Sequence, residues 1–451
     1  MNPYVFRKYD IRGKADRDLT DDFVRDLGRA VGTYEIRHGA RKISLGRDVR
    51  LSSDRLRATL LEGILGTGVD VVDIGVVPTP VLYFSMFHLE VDGSVMITGS
   101  HNPPDENGFK VGLQKTTIFG DEILKLKELI ENRDFESGSG SITEQDVVQA
   151  YIDRIAGDIR IDNKEVSVVF DAGNGTAGPV VHPLMERLGI KPDELFFEPD
   201  GNFPNHHPDP TVVKNLDALI DRVKSRNAIA GIAFDGDADR IGVVDASGEI
   251  IWGDKLMIIF SRDILEQEPG GVFVSEVKCS KTMYDDIEKH GGKAIMWKTG
   301  HSLIKAKMHE EGALLAGEMS GHMFFRHRYY GYDDAIYSAA RLLEILSKKG
   351  ETPSQLLADV PKTFSTPEIR RDCPDEQKFR VVDHVKKVMK EKGYHVIDVD
   401  GVRVTFEDGW GLVRASNTGP VLVLRFEAES ESRLQQIQEM IEAEVKTAMA
   451  L

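Results

Sequence analysis

Cysteine is nearly missing: Cys279 and Cys373 are the only two in 451 residues. A disulfide framework is thereby excluded, and a reducing compartment fits. No uninterrupted apolar run approaches the roughly 20 residues of a membrane helix, and Met1 to Asp10 carries no apolar core of an export signal. Basic charge is in the minority, with 57 Lys and Arg against 74 Asp and Glu and a net charge of −17. So acidic a chain is a poor candidate for nonspecific binding to nucleic acid or to an anionic membrane. An anionic small molecule would need short basic or glycine-rich loops acting against the overall field. A cytoplasmic protein with neither kind of partner is expected. What is present is ordinary for a globular protein: 41% hydrophobic and 29% charged residues exclude a mainly disordered chain. At about 100–200 residues per domain, the length allows roughly two to four domains, with enough chain to bury several cores.

Short β-rich apolar runs at 42–45, 69–74, 94–98, 166–170, 229–234, 271–275, 293–297 and 313–315 alternate with helical patterns such as 54–65, 215–223 and 333–346. That alternation is the pattern of βαβ units and a mostly parallel sheet. The last part differs. Runs at 394–399 and 402–406 flank the hairpin signal Asp400-Gly401, another strand spans 420–427, and Leu434, Ile437, Ile441 and Val445 line one face of a final helix. This reads as a small α+β domain. Boundaries are expected soon after the Gly/Ser-rich stretch 136–141, near Gly253, and near 363–367.

Three times an apolar strand runs into a polar, glycine-containing loop, and in open α/β sheets ligands bind at the carboxyl ends of strands. The strongest such loop is Asp235-Gly-Asp-Ala-Asp-Arg240. Carboxylates at every second position of an extended segment point to one side, and three hard oxygen ligands suit Mg²⁺. The bland alternative is an acidic surface turn. In Thr98-Gly-Ser-His-Asn-Pro-Pro104, a glycine turn and a stiff exit hold Ser100 beside His101 and within reach of Lys110. Such a hydroxyl is a candidate nucleophile or phosphoryl carrier, with His101 or Lys110 handling protons or negative charge; an ordinary polar turn is the other reading. Gly317-Glu-Met-Ser-Gly-His322 combines a carboxylate, a hydroxyl and an imidazole that can hydrogen-bond a sugar. Lys278 and the segment Lys298-Thr-Gly-His301 follow other strand ends. Arg414-Ala-Ser-Asn-Thr-Gly-Pro420 has the donors of a phosphate cradle, with Arg425 on the next strand adding charge.

Gly173-Asn-Gly175-Thr-Ala-Gly178 satisfies G-x-G-x-x-G between a strand and a helix, so a dinucleotide-dependent dehydrogenase is a competing hypothesis. It leaves the triple-Asp loop, the Ser100 loop and the cradle unexplained. A tight strand-to-helix turn is the more economical reading. His206 and His207 are adjacent in a Pro-rich loop, and no metal is assigned to them.

Together these segments resemble the α-D-phosphohexomutase superfamily, and within it the bacterial phosphomannomutase/phosphoglucomutase branch. The match runs in order from Tyr9-Asp-Ile-Arg-Gly13 through 98–110, 235–240 and 317–322 to 414–425, essentially the whole chain. Glu318-Met-Ser320 is similar to the mannomutase/glucomutase form; phosphoglucosamine mutases have Gln in place of Met319. Glu106 stands where Tyr is expected in that family, and the Gly173 loop occurs there without nucleotide binding.

The resemblance implies three related α/β domains with mixed sheets plus a C-terminal α+β domain around a central cleft, divided as 1–147, 148–252, 253–364 and 365–451. It implies an isomerase that interconverts 1-phospho and 6-phospho hexoses, mannose or glucose, through a phosphoserine and a bisphosphorylated sugar. Mg²⁺ and a hexose 1,6-bisphosphate are the implied cofactors, a phosphosugar the substrate, and a monomer or weak homodimer the assembly. By resemblance Ser100 is the phosphoserine and holds Mg²⁺ with Asp235, Asp237 and Asp239. His101, Lys110, Arg12 and Arg240 neutralise charge or move protons. Tyr9, Lys278, His301, Glu318, Ser320 and His322 bind the substrate, and Arg414, Ser416, Asn417, Thr418 and Arg425 grip the phosphate that is not reacting. A phosphoglucosamine mutase, a sugar phosphatase and a non-catalytic sugar-phosphate binder are the alternative readings.

Overall fold

Thr20 starts the first long helix, Asp21–Arg37, by accepting the Phe23 N–H at 3.5 Å, and Asp21 and Asp22 add negative charge to its first turn. The helix buries Phe23, Val24, Leu27 and Val31, and it packs on the helix Ser53–Leu65 through two glycines. A methyl group on Gly28 would strike the Leu60 carbonyl, and one on Gly63 the Arg25 carbonyl. Glycine is therefore kept inside both helices despite its poor helix propensity.

The computed structural model describes residues 2–416 and 419–450. The chain forms two compact units, Met1–Gly253 with Ser320–Leu356, and Asp254–Met319 with Leu357–Leu451. In the first unit one sheet runs Ile11–Lys14, Glu106–Leu113, Gly93–Ile97, Lys42–Arg47, Asp70–Val76, Ile142–Glu144, with Thr116–Thr117 paired to Glu106–Leu113. Its centre is parallel, and Glu106–Leu113 returns antiparallel beside Gly93–Ile97, pairing Met96 with Lys110. The unit's second sheet runs Ile250–Ile251, Ile241–Asp245, Ala230–Phe234, Val168–Asp171, Asp193–Leu195. Ala230–Phe234 is parallel to Val168–Asp171 and antiparallel to Ile241–Asp245. Both sheets are thus mixed, as expected.

In the second unit Val272–Glu276 lies between Lys293–Trp297 and Leu315–Gly317, all parallel. A separate antiparallel sheet runs Phe364–Ser365, Val421–Ala428, Gly409–Ala415, Val402–Phe406, His395–Ile397, with Ile369–Asp372 also paired to Val421–Ala428. Helices Asp375–Glu391 and Glu431–Ala450 cover it, burying Val381, Val385, Ile437, Ile441 and Val445 against Val404, Leu424 and Phe426. Among the described residues no helix is long and apolar enough to cross a membrane.

Several ends shift by one or two residues, as at Val168–Asp171 and His395–Ile397, and three expected elements differ in ways that matter. The strand expected at 313–315 is Leu315–Gly317, so Gly317 is still in the sheet. The helix expected at 215–223 is a 3-10 turn, Val213–Leu216, continued by Asp217–Arg226. The helix expected from 333 begins at Ala335, because the Asp334 carboxylate accepts the Tyr337 N–H at 2.8 Å and caps it.

Candidate active site

The strand Gly93–Ile97 delivers the chain to Ser100, which sits in the left-handed region at φ 48°. For a residue other than glycine this conformation must be held by its surroundings. Arg50 holds it. Its guanidinium, fully buried beneath the loop, donates to the carbonyls of Ser100 (2.8 Å), Asn102 (2.6 Å), Pro103 (2.5 Å) and Glu106 (2.9 Å). Asp48 pairs with Arg50 at 3.2 Å and accepts the Gly99 N–H at 2.9 Å. His207 bonds the His101 carbonyl from the neighbouring sheet's loops. Burial pulls the Arg50 pKa down, although Asp48 opposes this.

The Ser100 hydroxyl donates to Asp235 Oδ2 at 2.7 Å, and its Oγ lies 2.9 Å from His101 Nδ1. Burial, then the charges of Arg240 and Arg12, hold the His101 pKa well below its usual value, so the imidazole is neutral.

Asp235, Asp237 and Asp239 converge as expected, with ligand oxygens within 4.8 Å of one another and all three residues buried. The expected reason was wrong. The segment is a tight turn and not an extended strand. The Ala238 N–H donates to the Asp235 carbonyl at 3.1 Å, Ala238 has φ 58°, and Asp235 Oδ1 accepts the N–H groups of Asp239 (3.0 Å) and Arg240 (3.1 Å). Lys110 reaches this cluster and donates to Asp237 Oδ2 at 2.8 Å and Asp239 Oδ2 at 2.5 Å. Burial works against its charge, but the two carboxylates outweigh burial and raise its pKa well above normal. Burial beside Asp239 and Asp237 pushes the Asp235 carboxyl well up. Asp237 Oδ1 is buried with no hydrogen-bond partner among the described residues. Three buried carboxylates, one with an oxygen left bare, fit a hard divalent cation.

The G-x-G-x-x-G loop is absorbed by this cluster. A methyl group on Gly175 would lie 2.6 Å from the Gly236 carbonyl, and that carbonyl accepts the Thr176 N–H at 3.0 Å. The loop braces the acidic turn by its backbone, which answers the dehydrogenase hypothesis. His206 bonds Asp171 at 2.9 Å.

Tyr9 is buried, and Arg12 pairs with Asp10 and reaches Asn102 Oδ1 at 3.3 Å. Arg240 Nε lies 3.2 Å from His322 Nε2, and the same nitrogen is 3.1 Å from Asp239 Oδ1. Of the Gly317 segment, Ser320 and His322 belong to the first unit and Glu318 to the second.

In the second unit Glu318 accepts the Gly300 N–H at 2.8 Å, just before His301 begins the helix His301–Glu311. Lys278 donates to Glu368 at 3.1 Å and lies 3.5 Å from Glu276; burial lowers its pKa, but these two carboxylates raise it further. Arg414 Nε bonds Asp400 at 3.1 Å, and the same oxygen accepts the Thr299 N–H at 3.0 Å. Arg425 bonds the Lys278 carbonyl, and its Nε is buried without a hydrogen-bond partner among the described residues. The Ser416 N–H donates to the Val421 carbonyl at 2.9 Å; Lys378 donates to the carbonyls of Ser416 (2.7 Å) and Gly419 (3.2 Å). Asn417 and Thr418 lie outside the described residues. Arg50, Asp48, Glu276 and Lys378 were missed by sequence reasoning, and His207 was weighed only as a metal ligand.

The chain matches four consecutive family descriptions, Phosphoglucomutase/phosphomannomutase alpha/beta/alpha domains I, II and III at residues 4–137, 149–248 and 252–364, and the C-terminal domain at 368–444. It is 46% identical over 441 residues to a phosphomannomutase/phosphoglucomutase of Pseudomonas putida, covering 98% of this chain and 95% of that one. It is 44% identical over 448 residues to a phosphoglucomutase of Neisseria gonorrhoeae, covering 98% and 97%. A solved structure of a phosphoglucomutase/phosphomannomutase family protein from Burkholderia thailandensis superposes with a TM-score of 0.94 at 45% identity, covering 99% of this chain and 97% of that one.

Proposed function

Because the chain belongs to the phosphoglucomutase/phosphomannomutase family, we propose that it is a phosphohexomutase that interconverts 1-phospho and 6-phospho forms of mannose or glucose. The observation that carries this reading is the Ser100 hydroxyl, 2.7 Å from one of three converging buried aspartates and 2.9 Å from a neutral imidazole. Glu318-Met-Ser320 favours mannose and glucose over glucosamine, since phosphoglucosamine mutases have Gln in place of Met319.

PhosphoSer100 gives its phosphoryl group to the free hydroxyl of a hexose phosphate. The P–Oγ bond breaks, a P–O bond to the sugar forms, and the proton of the sugar hydroxyl ends on Oγ. Neutral His101 is placed to pass that proton, because its Nδ1 faces Oγ. Lys110, Arg12 and Arg240 stay cationic and stabilise charge on the equatorial oxygens. Asp235, Asp237 and Asp239, with a phosphoserine oxygen, are the residues to hold Mg²⁺, which when bound neutralises charge on the transferring group. The resulting hexose 1,6-bisphosphate returns its other phosphate to Ser100 by the reverse step. By resemblance, Tyr9, Lys278, His301, Glu318, Ser320 and His322 are assigned to the sugar. Arg414, Ser416, Asn417, Thr418 and Arg425 are assigned to the non-reacting phosphate.

The test is ³¹P NMR with mannose, glucose or glucosamine 1-phosphate, Mg²⁺ and glucose 1,6-bisphosphate. The expected products are mannose and glucose 6-phosphates. Free phosphate in their place would indicate a phosphatase, preferred turnover of the glucosamine ester a phosphoglucosamine mutase, and binding without turnover a mere binder. Ser100→Ala should lose the phosphoryl mass at residue 100 and slow turnover on the order of a thousandfold or more.

A further inference from the structure

Thr79 is the first residue of the helix Thr79–His88, set behind Pro78, and it is fully buried. It meets Asp237 twice. Its backbone N–H donates to the Asp237 carbonyl at 2.9 Å, and its hydroxyl donates to Asp237 Oδ2 at 2.5 Å. The same oxygen receives the Lys110 ammonium at 2.8 Å, so all of the donors gather on Oδ2. Among the described residues, Oδ1 is left buried without a hydrogen-bond partner. Two donors on one oxygen, with the adjacent backbone carbonyl also held by Thr79, restrain the carboxylate from rotating to share donors between its two oxygens.

The chemical nature of the two donors matters. Lys110 brings a full charge, and a second cation in the place of Thr79 would leave Asp237 with little attraction for a metal. A hydroxyl orients the group while leaving its charge available. Thr79 supplies direction without neutralisation.

We propose that Thr79 is a positioning residue of the metal loop. It pins Asp237 so that Oδ1 stays turned toward a divalent cation held with Asp235 and Asp239. The proposal rests on the reading of these three aspartates as the metal site.

The test uses full-length protein stripped of metal, with Mn²⁺ as the probe and free Mn²⁺ read by electron paramagnetic resonance. Thr79→Val keeps the shape and deletes the donor, Thr79→Ser keeps the donor, and Asp237→Asn serves as the control. Thr79→Val should weaken Mn²⁺ binding about tenfold. It should raise the Mg²⁺ concentration for half-maximal turnover in parallel, with a smaller change in kcat at saturating Mg²⁺. Thr79→Ser should restore both values to near those of the wild type. If Thr79→Val does not fold, as judged by circular dichroism, Thr79→Ala is compared with Thr79→Ser in its place. Wild-type Mn²⁺ affinity in the donor-deleted variant, with binding lost in Asp237→Asn, overturns the role of Thr79 and leaves the metal site standing. Wild-type affinity in Asp237→Asn overturns the metal site itself, and the proposal with it.

Discussion

A serine at φ 48° is a conformation that most residues avoid, and here a single buried arginine spans four carbonyls to keep it. Arg50→Met would leave those carbonyls without donors and let the loop relax toward ordinary backbone angles. The expected result is a fall in kcat of about a hundredfold, because small misplacements of a reacting group cost that much. The half-saturating Mg²⁺ concentration should change far less than kcat, since three of the four groups assigned to the metal are aspartates of another loop, and Arg50→Lys should recover only part of the rate, since one ammonium cannot reach as widely. Steady-state kinetics with a Mg²⁺ titration checks both, and an unchanged kcat would sink the argument. Arg50 also shows where reading the sequence stops. Ser100, His101 and the aspartates stand next to one another in short polar loops after apolar strands, so their chemistry is visible locally. Arg50 bonds atoms 50 to 56 residues away and Thr79 an atom 158 residues away, and nothing near either marks it as unusual.

At the scale of elements, alternating apolar runs disclosed most strands, and the errors lie at their ends, where side-chain caps decide. Asp334 moved one helix start, and the acidic turn at Asp235 closed through a backbone bond and bonds to its own carboxylate that periodicity does not encode. One element carries a burden invisible in its pattern. The helix Asp21–Arg37 buries Glu35, whose two carboxylate oxygens have no hydrogen-bond partner among the described residues; a methyl on Gly93 would lie 2.7 Å from each. Burial, and next the charge of Asp92, push its pKa up from 4.5 to about 8. The folded state therefore favours the proton. Stability from this group is fully present below about pH 4.5 and drains away as the pH rises through about 8. At 1.36 kcal/mol per pKa unit, the loss is on the order of a few kcal/mol. Glu35→Gln should match the wild type's pH trend up to about pH 5 and gain on it steadily toward pH 9 in thermal melts. A melting-temperature difference that does not vary with pH would contradict this.

For the molecule as a whole, the division into two units separates two kinds of stabilisation. The acidic cluster, Lys110 and Thr79 all belong to the first unit, while Lys278, Arg414 and Arg425 belong to the second. Whatever binds only the folded form raises its melting temperature by mass action. Saturating Mg²⁺ should therefore raise the melting temperature by several degrees, a chelator should reverse it, and Asp237→Asn should abolish the response. No shift in the wild type would count against the metal site. The bonds to Asp237 have a wider consequence. Thr79 begins a helix packed on the sheet spanning 11–144, Lys110 lies in that sheet, and Asp237 follows a strand of the next sheet, so the same contacts that shape the proposed cation site also fasten these two layers together. The cation's dissociation constant is then a gauge of that seam. By thermodynamic reciprocity, the factor by which bound metal tightens the seam equals the factor by which closing the seam tightens the metal, so a substitution that opens the seam should weaken metal binding by up to that factor.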